Sequence, residues 1–155
     1  MPPTPNPPPR VSAGSAAPAF RLNAPVVVPL TYPRATRRAL AAACALARDL
    51  DLQVRVLVPC AVSPGLDLNL AEPAPPHWVA YWEARLHPPP GVTLQRLLVR
   101  DPSHMWQTAL QHAGLVVLAR PLPRFWSALA TQLRRNRVDV VILPRRPAGA
   151  PALLP

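Results

Sequence analysis

The sequence predicts an open, doubly wound α/β domain built on five parallel strands. Three observations carry this. Residues 25–62 read as strand, helix, strand, and a βαβ unit of that kind forces a parallel pair with a right-handed crossover. Leu115, Val116, Val117, Leu118 and Ala119 form a continuous apolar run of strand length, as expected where both faces of a strand are covered. The remaining chain keeps the same alternation, giving the order β-α-β-(α)-β-α-β-α-β.

The first strand is Pro25-Val26-Val27-Val28-Pro29-Leu30. Thr31 is the expected N-cap of the helix that follows, over residues 33–50, with Pro33 in its first turn where a missing N–H does no harm. Leu40, Ala43, Ala47 and Leu50 recur at helical spacing and form its inward stripe. Alanine dominates that stripe, so the helix is expected to approach its sheet closely. The second strand covers residues 52–58 with Val54, Val56 and Val58 on one face, and Pro59 is expected to end it. Between residues 63 and 92 one element is legible, a short helix over 78–86 with Trp78, Trp82 and Leu86 inward, stopped by Pro88-Pro89-Pro90-Gly91. No basic-aromatic partner element accompanies that tryptophan pair, so it reads as core or interface rather than a base-stacking platform.

Residues 93–100 make a third strand, and the arginines Arg96 and Arg100 among its leucines place it at a sheet edge. Asp101 and Pro102 open the next helix as N-cap and first residue. Met105, Ala109 and His112 lie along one face, and Gly114 is the expected C′ residue. The apolar fourth strand follows. A last helix over 123–135 is expected to turn Phe125, Trp126, Leu129 and Leu133 inward, and residues 138–143 form the fifth strand.

Length and charge bound the function classes. With 155 residues there is room for one domain, here 25–144, flanked by a Pro/Ala-rich tail over 1–24, expected to be disordered, and a flexible tail over 145–155. The stretch Pro7-Pro8-Pro9-Arg10 reads as flexible spacer, with a polyproline II ligand as the alternative. All 17 basic residues are arginine, a bias that GC-rich coding produces by itself, so the net charge of +10 is partly compositional. Its physical consequence is nonspecific attraction for polyanions at low salt. Cys44 and Cys60 are isolated, without the spacing of a zinc or redox pair, and read as buried thiols. The N-terminus lacks a signal-peptide pattern and no apolar run approaches about 20 residues, so a soluble cytoplasmic protein is expected.

The same residues resemble the universal stress protein family. Val26-Val27-Val28-Pro29-Leu30 with its alanine-rich helix and valine-rich second strand is similar to the family's opening. Arg100-Asp101-Pro102 resembles the Gly-Asp-Pro junction after the third strand, and residues 127–143 resemble the closing Ser-helix-strand. The match covers about 25–62 and 94–144. It implies helices on both faces of a sheet in the order 3-2-1-4-5, and a homodimer through the last strand, here Val138, Val140 and Ile142. Nucleotide-binding members carry an Asp after the first strand and a Gly-x2-Gly-x9-Gly-Ser/Thr loop after the fourth. This chain has Thr31 in the first position and Ala119-Arg120-Pro121-Leu122-Pro123-Arg124-Phe125-Trp126-Ser127 in the second, with no glycine and two prolines that lack N–H donors.

The expected function is accordingly non-catalytic. The chain is read as acting through dimerisation and protein association in stress response, with no cofactor and without ATP binding in the family's usual mode. Two alternatives stay open. One is a nucleotide or anion site from Thr31, the first-helix N-terminus with Arg34, and Arg120, Arg124 and Ser127, since Arg34, Arg37 and Arg38 crowd the positive end of a helix dipole. The other is nonspecific nucleic-acid association through the arginine surface. No catalytic group and no metal set is read: His104 and His112 are two helical turns apart, the carboxylates are scattered, and Ser63 and Ser127 lack a nucleophile-elbow context.

Overall fold

A computed structural model describes residues 24–62, 65, 74–100 and 102–149. The N-terminal tail with its polyproline stretch, Ser63, the Asp101 cap and the His104 side chain lie outside the described residues. Nine elements follow one another: β1 (Val26–Pro29), α1 (Pro33–Leu50), β2 (Val54–Ala61), α2 (Pro76–Leu86), β3 (Thr93–Val99), α3 (Pro102–Leu110), β4 (Leu115–Ala119), α4 (Phe125–Arg135) and β5 (Asp139–Leu143). The strands form one parallel sheet in the order β3-β2-β1-β4-β5. This is the order that the resemblance implied, and β3 is the edge strand that its arginines suggested.

Each face of the sheet has its own core. Alternate residues of β1 separate them, with Val26 and Val28 on the α1–α2 side and Val27 on the α3–α4 side. On the first side the buried stripe of α1 is Ala35, Ala39, Leu40, Ala43 and Ala47, and small side chains let the helix sit close to the valines of β1 and β2. Leu50, expected in that stripe, falls past its end and is exposed. Leu86 is buried, and Trp78 and Trp82 pack against the same core. On the second side Trp106 of α3 and Trp126 of α4 meet with ring centroids 5.0 Å apart. Leu110, Leu118, Leu129 and Leu133 close around them.

Several local expectations are corrected. Pro59 does not end β2, which continues to Ala61. The Leu57 carbonyl bonds to Leu30 N–H, so Leu57 and, two residues on, Pro59 face the β1 side, where β1 has already ended at Pro29. The N–H that proline lacks therefore has no partner to lose. Phe125 is not inward: it is 51% exposed, while its neighbour Trp126 is 1% exposed. His112 lies beyond the end of α3 and is exposed. Gly114 is not a C′ residue, since α3 ends at Leu110. It is small because a Cβ there would come within 2.9 Å of the Ala24 carbonyl oxygen, next to the bond from Gly114 N–H to the Pro25 carbonyl.

Candidate functional site

In a doubly wound sheet the crevice beyond the carboxyl ends of the strands, where the strand order reverses, is the natural ligand position. Here that point lies between β1 and β4. The turn after β1 closes on itself. Thr31 N–H donates to Thr36 Oγ1 (3.0 Å), the two hydroxyl groups lie 3.4 Å apart, and Thr36 N–H donates to the Tyr32 carbonyl (2.8 Å). Tyr32, not Thr31, is consequently the N-cap of α1, and no side chain caps the helix. The only buried polar side chain of the described core is Thr36, and it is satisfied by Thr31. Thr31 thus serves the turn, with its hydroxyl directed at Thr36.

Above this turn opens a cleft of about 670 Å³ lined by Tyr32, Pro33, Arg34, Ala35, Arg37, Arg85 and Pro121. Among the described residues three guanidinium groups line it and no carboxylate does. The first-turn residues Arg34 and Ala35 bring amides that the helix itself leaves without acceptors, because the first N–H groups of any helix lack intrahelical partners. Arg85 comes from α2, near its end. It reaches the start of α1 because α2 packs against α1, and the chain after α2 then runs on along that helix, with residues 89–92 sharing a crevice with Cys44, Ala47 and Arg48. Arg85 stacks over the Tyr81 ring, with Cζ 5.0 Å from the centroid, and hydrogen-bonds the Tyr81 hydroxyl. Neither contact consumes its charge.

The third arginine of the helix start is used differently. Arg38 donates to the Arg120 carbonyl (3.0 Å) and to the Pro144 carbonyl (2.6 Å), tying α1 to the carboxyl ends of β4 and β5. Among the sequence-predicted site residues, the structure thus places Arg34 in the cleft, with Thr31 next to the lining residue Tyr32 but not in the lining itself. Arg120 and Arg124 on the turn after β4, and Ser127 in the first turn of α4, are exposed and do not line the cleft. From that turn Pro121 lines the cleft, while Trp126 at the start of α4 packs into the opposite core. Arg85, Arg37 and Tyr32 complete the site. Arg37 was legible as part of an arginine cluster, whereas nothing local marks Arg85.

Val138 and Val140 are buried and Ile142 half-buried against the α4 layer, with Val138 just before β5. Among the described residues no three His, Cys, Asp or Glu side chains come together as a metal set. Burial pushes the Cys44 thiol pKa up, partly opposed by the nearby Arg48. No described helix is long and apolar enough to cross a membrane.

No family model matches the chain, and no curated protein matches it. Solved structures do. A universal stress protein in complex with cAMP has 13% identity and a TM-score of 0.49, covering 78% of this chain and 98% of its own. A member of the universal stress protein family from Burkholderia pseudomallei has 17% identity and a TM-score of 0.47, covering 81% and 98%. Two of the neighbours are thus universal stress protein structures. A third, a macrolide-efflux protein from Streptococcus pneumoniae, has 20% identity and a TM-score of 0.44, covering 78% of this chain and 45% of its own. The architecture itself rests on the observed sheet order.

Proposed function

We propose that the chain is a non-catalytic binding module whose cleft at the carboxyl end of β1 takes a small phosphate-bearing anion. One observation carries the reading: Arg34, Arg37 and Arg85 converge from two helices on an open cleft whose lining, among the described residues, holds no carboxylate. Guanidinium groups pair with phosphate oxygens in a bidentate fork, and the uncapped helix start adds its dipole. The ligand is held by side chains from one wall and not by a glycine-rich loop, so the family's usual ATP mode is not invoked. A thermal-shift series with phosphate, pyrophosphate, AMP and ATP tests this. The melting temperature should rise with millimolar ligand in the wild type and less in Arg34→Ala. No shift with any of the four removes the reading.

A second reading is association through β5, with another copy or a protein partner, in a stress response. It is supported by the free edge of β5, where Val141 is 37% exposed. The Leu143 carbonyl accepts from Arg120 N–H and so points to β4; by alternation, Val140 and Ile142 direct their backbone groups outward. Arg134 competes there, because it donates to the Val140 carbonyl (3.0 Å) and blunts the edge. Light scattering at micromolar concentration decides it. A dimer mass supports pairing, with Arg134→Ala increasing the dimer fraction, and a monomer mass for both forms removes it.

A further inference from the structure

Among the described residues three aromatic side chains are half or more exposed, and all three sit beside arginines. Tyr32 (50%) lines the cleft with Arg34 and Arg37. Tyr81 (50%) carries Arg85 over its ring. Phe125 follows Arg124 at the start of α4. Two of them rest partly on core tryptophans, Tyr81 edge-on to Trp82 (centroids 5.1 Å apart) and Phe125 tilted on Trp126 (5.3 Å), and about half of each ring still faces solvent.

Their placement is set by the topology. β1 and β4 are hydrogen-bonded neighbours, so the turns that carry Tyr32 and Phe125 leave the same end of the sheet side by side. Arg38 holds the two together through the Arg120 carbonyl. Phe125 stands outside the cleft lining, so a ligand touching both Tyr32 and Phe125 extends beyond the space that a single small anion fills. Each of the two rings has guanidinium groups beside it: Arg34, Arg37 and Arg85 line the cleft with Tyr32, and Arg124 precedes Phe125. A positively charged track interleaved with aromatic platforms is how proteins hold single-stranded nucleic acid without reading its sequence.

We infer that the carboxyl end of the sheet binds single-stranded nucleic acid, its phosphates on Arg34, Arg37, Arg85 and Arg124 and its bases stacked on Tyr32 and Phe125. The inference rests on the phosphate-binding reading of the cleft and extends it from a small anion to a polymer. A duplex satisfies only half of the surface, because its bases are already stacked on one another and offer no free face to the two rings.

Fluorescence anisotropy with a labelled 12-nucleotide oligo-dT and oligo-U, and with a blunt duplex of equal length, tests this on the full chain. Both single strands should bind at about 50 mM salt. For four arginine–phosphate contacts at about 0.7 per contact, the log–log salt slope should be about −3. Tyr32→Ala and Phe125→Ala should each weaken single-strand binding by about tenfold, and Leu50→Ala, an exposed apolar position at the far end of α1, should change nothing. Both ring positions are on the surface, so these variants should melt as the wild type does. The inference is overturned by three results: no binding at low salt, a duplex held as tightly as the single strands, or aromatic variants that bind like wild type. Pyrophosphate stabilisation without oligonucleotide binding overturns this inference and leaves the cleft reading in place. Failure of both ligands removes both.

Discussion

The turns that follow β1 and β4 leave the sheet side by side and are built in opposite ways. The first is held by two threonines: Thr31 and Thr36 satisfy one another, and the cleft opens beside it. The second is held by an aromatic anchor, with Trp126 sunk between α3 and α4 against Trp106. The first turn therefore opens onto the cleft, and the second reaches the cleft with Pro121 while its following helix is anchored on the far face of the sheet. A loop without glycine can in this way flank an open site, although it supplies no amide cradle of its own.

The contrast can be broken from either side. Trp126→Ala removes the anchor, and truncating a buried tryptophan costs about 3–5 kcal/mol, so urea or thermal unfolding should show the largest loss here. Thr36→Val keeps the shape of the first turn and removes the hydroxyl that accepts from Thr31 N–H. A part-buried donor left without its acceptor costs about 1–3 kcal/mol, again read by denaturant midpoint. Arg38→Ala cuts the tie between the two turns. Its bonds are to exposed carbonyls, so about 1 kcal/mol or less is expected, with faster amide exchange at Arg120, whose N–H bonds to Leu143, as the sharper readout. The smallest effect lies away from both turns. Because burial raises the Cys44 thiol pKa, less thiolate is present at pH 8 than in a free thiol. In a Cys60→Ser background, alkylation should run more slowly than that of glutathione and speed up in denaturant.

Local pattern was enough for the architecture, because periodicity and proline placement report on single elements and on which neighbours they require. The valine run of β1, the alanine stripe of α1 and the apolar β4 each carried their own burial. Errors arose where a residue's role depends on a neighbour far along the chain. Pro59 looked like a stop until β1 was seen to have ended beside it. Phe125 and Trp126 are adjacent and both apolar, and only the position of Trp106 decides which of them is buried. The site shows the same division. Arg34 and Arg37 were visible as a cluster at a helix start. Arg85 joins them because α2 packs against α1. No spacing rule in the sequence encodes that contact.

The claim that the arginine-lined cleft is a phosphate site is tested most directly by calorimetric titration of pyrophosphate into the wild type, Arg34→Ala, Arg85→Ala and Arg120→Ala. The cleft reading predicts saturable binding that weakens by about tenfold or more when either Arg34 or Arg85 is removed, the size expected for a charged hydrogen-bonding group. Arg120→Ala, outside the cleft lining, should bind as the wild type does. Binding that survives loss of both Arg34 and Arg85, or that disappears with Arg120 alone, would contradict it.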